Sequence, residues 1–94
     1  MSVTAYHFWS PTCGPCKVIK PAVDDLKEEF SNITWVSVNT QADPHNYTET
    51  FGVRVVPSIA VVATSSSGEI VYRDLQSGTT MMNYYRILRA ALRA

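Results

Sequence analysis

Phe8-Trp9-Ser10-Pro11-Thr12-Cys13-Gly14-Pro15-Cys16-Lys17 holds the only two cysteines of the chain, three residues apart. An apolar, β-favouring run from Val3 to Trp9 precedes the pair, and a helical pattern from Val18 to Phe30 follows it. A Cys-x-x-Cys pair where a strand hands over to a helix is the local mark of a dithiol/disulfide site. On a helical first turn, residues i and i+3 share one face with Cβ atoms about 5–6 Å apart. A small closure brings them within disulfide range. Cys13 falls at the helix start, where unpaired backbone N–H groups and the macrodipole favour negative charge. Its thiolate is therefore expected to form more readily than the ~8.5 of a free thiol allows. Pro15 suits a first-turn position, because the N–H it lacks would have no intrahelical partner there.

Three plainer readings compete. A structural disulfide closing so short a loop removes little chain entropy and makes a poor staple. A zinc site needs two more ligands, and His7 and His45 are the only histidines, neither at finger spacing. No metal and no bound cofactor are assigned. Two inert core cysteines are the third alternative, and the redox reading is preferred to all three.

Composition narrows the function further. Ninety-four residues make one domain, 1–94, large enough for its own core. Eight basic and eight acidic residues balance, which gives no electrostatic case for nucleic acid or an anionic membrane. No apolar run approaches the ~18 residues of a spanning helix. Met1-Ser2 leads straight into the first strand, with no basic n-region, so no signal peptide is read. Two cysteines inside one motif suit a reducing compartment where thiols cycle, and a cytoplasmic location is expected.

Along the chain, Val3, Ala5, His7 and Trp9 alternate with Thr4, Tyr6 and Phe8, as in a central strand covered on both faces. Ile19, Ala22, Val23, Leu26 and Phe30 form one helical stripe. Lys20, Asp24, Lys27, Glu28 and Glu29 then read as the solvated side, and Pro21 is expected to bend the axis. Ile33 to Val38 is a second strand, parallel to the first through a right-handed crossover. Asp43 and Pro44 read as cap and first-turn proline of a short helix ending near Phe51-Gly52. Ser58 to Thr64 and Glu69 to Leu75 form an antiparallel hairpin across Ser65-Ser66-Ser67-Gly68. A last helix runs to about Arg93, with Met81, Tyr84, Tyr85, Leu88, Ala91 and Leu92 inward and Arg86, Arg89 and Arg93 outward.

This α/β order, β-α-β-α-β-β-α, with Cys13-Gly14-Pro15-Cys16-Lys17 after the first strand, resembles the thioredoxin family. Trp9, Pro21, Phe51-Gly52-Val53, Val56-Pro57 and Gly78 match its pattern in order, so the resemblance runs from Val3 to Leu92. It implies a thioredoxin-like fold with a four-stranded mixed sheet flanked by helices. Cys13 would be the attacking thiol and Cys16 the buried resolving thiol, with Trp9, Gly14, Pro15 and Lys17 supporting the site. Val56-Pro57 would be a cis peptide beside the disulfide, its backbone pairing with an extended substrate segment.

Three departures qualify the match. The family's usual preceding strand and helix have no counterpart here, leaving Ile33 to Val38 as a sheet edge bearing Trp35, open to pairing or a partner. The aromatic residue that normally precedes the first cysteine is Thr12, which alters the substrate-facing surface. The family's buried carboxylate is replaced by His7. A protonated His7 would favour a thiolate at Cys16, where a carboxylate opposes one.

The expected activity is thiol–disulfide exchange that reduces protein disulfides, with a thioredoxin-reductase-type electron donor and a monomeric state. One alternative is a glutaredoxin-like, glutathione-dependent enzyme. Against it stand Gly14-Pro15 between the cysteines and no Gly-Gly-x-Asp pattern before the last helix. The other is a binding module that uses the fold as a clamp for a larger protein, the dithiol being incidental.

Overall fold

The computed structural model describes residues 1–94. Its elements are β1 (Ser2–Trp9), α1 (Gly14–Glu29), β2 (Thr34–Asn39), α2 (Tyr47–Thr50), β3 (Ser58–Thr64), β4 (Ile70–Ser77) and α3 (Met81–Arg93). The four strands form one sheet in the order β2-β1-β3-β4. β1 runs parallel to β2, with Thr4 opposite Thr34 and Trp9 opposite Asn39. It runs antiparallel to β3, with Ser2 opposite Thr64 and Phe8 opposite Ser58. The α/β architecture is the mixed, four-stranded one expected.

Strand alternation decides which layer each residue joins. Val3 and Ala5 of β1 and Ile59, Val61 and Ala63 of β3 face one side. There they meet Ile19, Val23, Leu26 and Phe30 of α1 and Tyr84, Ile87, Leu88 and Ala91 of α3 in a single buried cluster. Phe8, Val38 and Ala60 face the opposite side, under Tyr6, Tyr47, Phe51, Val53, Val56 and Leu75. Helices α1 and α3 thus cover one face, and α2 with its following loop covers the other.

Several local expectations change. α2 starts three residues later than Pro44 would place it, with Asn46 in the left-handed region (φ 60°) at its N-cap. Asp43 still satisfies the helix start, but from further back. Its carboxylate accepts the backbone N–H groups of Tyr47 at 3.2 Å and Thr48 at 2.8 Å, and the Thr48 hydroxyl at 2.7 Å. These bonds, the Thr48 hydroxyl foremost, hold the Asp43 carboxyl below its ordinary range.

On α3 the fully buried stripe includes Ile87, whereas Tyr85 is only half-buried and donates its hydroxyl to Glu29 at 2.6 Å. β2 is an edge, as expected, but Trp35 is not loose apolar surface. Its ring packs against the main cluster, and Nε1 donates to the Phe30 carbonyl at 3.1 Å.

Ile87→Ala is expected to destabilise the fold by about 2–4 kcal/mol, since Ile87 has no exposed surface. Met82→Ala, on the outer face of the same helix at 74% exposure, is expected to change stability by less than about 0.5 kcal/mol. Urea unfolding midpoints at a constant m-value check both.

Candidate active site

Cys13 is the N-cap of α1, in extended conformation (φ −89°, ψ 106°), and Cys16 is the third helical residue. Their Cα atoms are 5.2 Å apart and the two sulfurs are joined in a disulfide. The Cys13 sulfur accepts the backbone N–H of Cys16 at 3.1 Å, the bond a serine or aspartate oxygen would accept at an ordinary N-cap. The same donor would stabilise a thiolate there after reduction. The Lys17 N–H bonds the Cys13 carbonyl at 3.3 Å, and Pro15 lies in the first turn, as its missing donor predicts. A Cβ at Gly14 would meet no atom within 4 Å, so Gly14 is not required by space.

In the disulfide the two residues are equally covered, Cys13 8% exposed and Cys16 7%. Position separates them instead, since Cys13 caps the helix end and Cys16 lies on the helix's buried face.

The Cys13 sulfur lies 3.6 Å from the carbonyl oxygen of Val56, and the Val56–Pro57 peptide is cis. This segment is tied down from behind. The Ser58 hydroxyl donates to the Val55 carbonyl at 2.7 Å and lies 2.6 Å from the Ser77 hydroxyl. The Gly78 N–H bonds the Pro57 carbonyl at 2.9 Å, with Gly78 at φ 106°, a region costly for other residues. Tyr84 of α3 donates its hydroxyl to the Gly78 carbonyl and lies 3.2 Å from that of Pro57; burial pushes its phenol up to about 12.

Ser58, Ser77 and Tyr84 as supports were missed in the sequence. The signal available was a tyrosine on an inward stripe, because a buried phenol needs an acceptor. Thr12 is exposed in front of the site and accepts a bond from Gln41 Nε2 at 2.9 Å.

Behind Cys16 lies a cavity of about 290 Å³. β1 contributes His7 and Trp9, α1 contributes Cys16, Lys17, Lys20, Asp24 and Lys27, and β2 contributes Ser37. Trp9 donates Nε1 to the Ser37 hydroxyl at 2.7 Å. Three of the five residues read as the solvated face of α1 line this cavity, Lys27 half-buried and Lys20 and Asp24 exposed and paired at 2.9 Å.

His7 is 7% exposed, and neither of its ring nitrogens has a hydrogen-bond partner in the protein. Burial first, then the Lys27 and Lys20 ammonium groups against Asp24, lowers its pKa from 6.5 to about 4. The imidazole is thus neutral at neutral pH, and the thiolate-favouring charge that a protonated His7 would place beside Cys16 is not there under those conditions. It is also a weak base.

The depressed pKa fixes a pH dependence. Between about 6.5 and 4 the unfolded chain binds a proton at His7 that the folded chain refuses. Stability is therefore expected to fall as pH drops through that window, by up to about 3 kcal/mol. Asp24, held low by its bond to Lys20, and Asp43 lose their contributions only at lower pH. Urea unfolding of the parent and His7→Leu from pH 7 to pH 4 checks this: the variant should lose most of the slope.

The family model described as Thioredoxin matches residues 3–84. A chloroplastic M-type thioredoxin of Zea mays is 33% identical over 82 residues, covering 84% of this chain and 48% of that protein. The chain thus spans about half the length of the curated relatives it matches. Among solved structures, Fasciola hepatica thioredoxin superposes with a TM-score of 0.75 at 20% identity, covering 96% of this chain and 81% of that one. A thioredoxin-fold chain from the crystal structure of a ferredoxin:thioredoxin reductase and thioredoxin f2 complex gives 0.77 at 21% identity, covering 97% and 78%. The matched span, the sheet order and a Cys-Gly-Pro-Cys pair at the head of α1 lead to one conclusion: the chain belongs to the thioredoxin family.

Proposed function

We propose that this protein is a thiol–disulfide oxidoreductase that reduces disulfides in other proteins through the Cys13–Cys16 couple. One observation carries the reading: the Cys13 sulfur sits at a helix N-cap, within bonding reach of a backbone N–H, and faces the Val56 carbonyl of the cis-proline segment. In the reduced protein the Cys13 thiolate attacks one sulfur of a substrate disulfide. A mixed disulfide forms and the other substrate sulfur leaves as a thiolate. Cys16, once deprotonated, attacks the Cys13 sulfur, forms the intramolecular disulfide and releases the second substrate thiolate. Two electrons pass to the substrate, and the disulfide form described above is the product state.

Substrate backbone would lie along Val55–Val56, where Val55 is 56% exposed beside the half-buried Val56, with Thr12 on the opposite lip. A partner reductase returns the electrons. The complex of thioredoxin f2 with ferredoxin:thioredoxin reductase, a likeness of fold only, supports a donor of that general type. The protein acts as a monomer in this reading. We place it in the cytoplasm on its cysteine usage, although the maize relative is named chloroplastic. Fractionation of source cells decides the location.

Cys16→Ser is expected to accumulate covalent mixed disulfides with protein substrates, and Cys13→Ser is not. Non-reducing electrophoresis after incubation with a disulfide-containing protein reads the difference. Equal trapping by the two variants removes the assignment of roles.

A further inference from the structure

The sheet has two edges, and they are built differently. β4 carries Arg73 and Asp74 within the strand, Glu69 stands at its entrance, and its pairing with β3 shifts register between Ala63 and Thr64. Charged side chains and irregular pairing keep an open edge from taking up another chain. β2 has neither. From Phe30 to Ala42 there is no Asp, Glu, Lys, Arg, Pro or Gly, and β2 pairs with β1 in unbroken register. In lacking Asp, Glu, Lys and Arg it matches β1 and β3, the two strands with neighbours on both sides. Backbone alternation fixes which of its groups face out. The Thr40 N–H bonds Trp9 on β1, so the N–H groups of Trp35, Ser37 and Asn39 point the other way, along the open side.

We propose that β2 is an interface at which a second copy of this chain adds its own β2, antiparallel about a two-fold axis, joining the two four-stranded sheets into one. Residues whose N–H groups face outward must meet residues of the same kind, so Trp35, Ser37 and Asn39 of one copy meet that set on the other. An axis through Ser37 places Val36 of each copy opposite Val38 of the other, on the face that holds Phe8, and sets the two Ser37 residues against each other. The strand is then its own complement, as a two-fold contact requires. The assembly also closes: each copy uses its one unguarded edge, and the edges left over are the charged β4 strands. Six residues make a short contact, so the dimer belongs with the weak, concentration-dependent associations. The redox chemistry stays within each single chain, because the Val55–Pro57 segment that meets Cys13 leads into β3, on the far side of β1 from β2.

Sedimentation equilibrium of the disulfide form from about 5 µM to about 500 µM tests this, with amide hydrogen exchange measured at both ends of the range. The mass should rise from that of one chain towards that of two, and the Trp35, Ser37 and Asn39 amides should exchange several-fold more slowly at the high end. Ser37→Lys and Ser37→Glu each set like charges together at the axis, and each alone should stay monomeric. Mixed in equal amounts, the two should associate again, which a variant that merely failed to fold would not do. Val71→Lys, at an exposed position on the β4 edge, should leave association unchanged. Any of four results would overturn the proposal: a monomer with unprotected amides throughout, growth past two copies, dimers that Ser37→Lys leaves intact or Val71→Lys removes, or a mixture that stays monomeric.

Discussion

A sulfur atom caps a helix in this protein, and much else follows from that bond. The first turn of any helix leaves N–H groups without partners. An oxygen at the cap would satisfy one of them permanently, whatever the redox state. Here the acceptor is Cys13, so the group that finishes α1 is the group that changes charge when the disulfide opens. Helix stability and thiolate stability draw on the same N–H donors. The end of β1 has to deliver Cys13 to that spot, and the sheet fixes where β1 ends. Thr40 N–H bonds the Trp9 carbonyl at 2.9 Å, just beyond the last parallel pair, Trp9 and Asn39.

The two sides of the cap are built very differently. In front, the Val55 and Pro57 carbonyls are held by the Ser58 hydroxyl, the Gly78 N–H and the Tyr84 phenol. Behind Cys16 lies a cavity lined by His7, Trp9 and the charged side chains of α1. Rigidity where a substrate backbone must register, and adaptability where a proton must move, is a physically sensible division. The neutral imidazole sharpens it. With its pKa near 4, His7 contributes no charge of its own at neutral pH, so the electrostatics behind Cys16 are set by the lysines of α1.

What could be read from the sequence, and what could not, follows the range of the forces involved. The β1 and α1 patterns were legible because alternation and a 3.6-residue stripe are properties of single elements, and Val23, Leu26 and Phe30 are buried as the stripe requires. The Cys-Gly-Pro-Cys head of α1 was legible for the same reason. Asp43-Pro44 misled, because a capping aspartate and a turn aspartate look alike until the chain's direction at Asn46 is known. Ile87 was passed over for Tyr85, since the two flank the Tyr84–Leu88 line on opposite sides of α3 and only the packing against the sheet chooses which edge is covered. The cavity was invisible. Its walls come from two strands and a helix, and Lys27 on that helix is indistinguishable in sequence from an ordinary surface lysine.

The placement of β1 also has a consequence in time. Its antiparallel partner β3 is separated from it by α1, β2 and α2, and the Tyr84 anchor comes later still. The βαβ half holds both cysteines, but it has no core of its own: Ile59, Val61 and Ala63 of β3 and Tyr84, Ile87 and Leu88 of α3 complete the cluster on which α1 rests. The wall that faces the sulfurs thus depends on the last helix to be made, because Tyr84 of α3 holds the Pro57 and Gly78 carbonyls, and the selectivity of the site is complete only when that helix is in place.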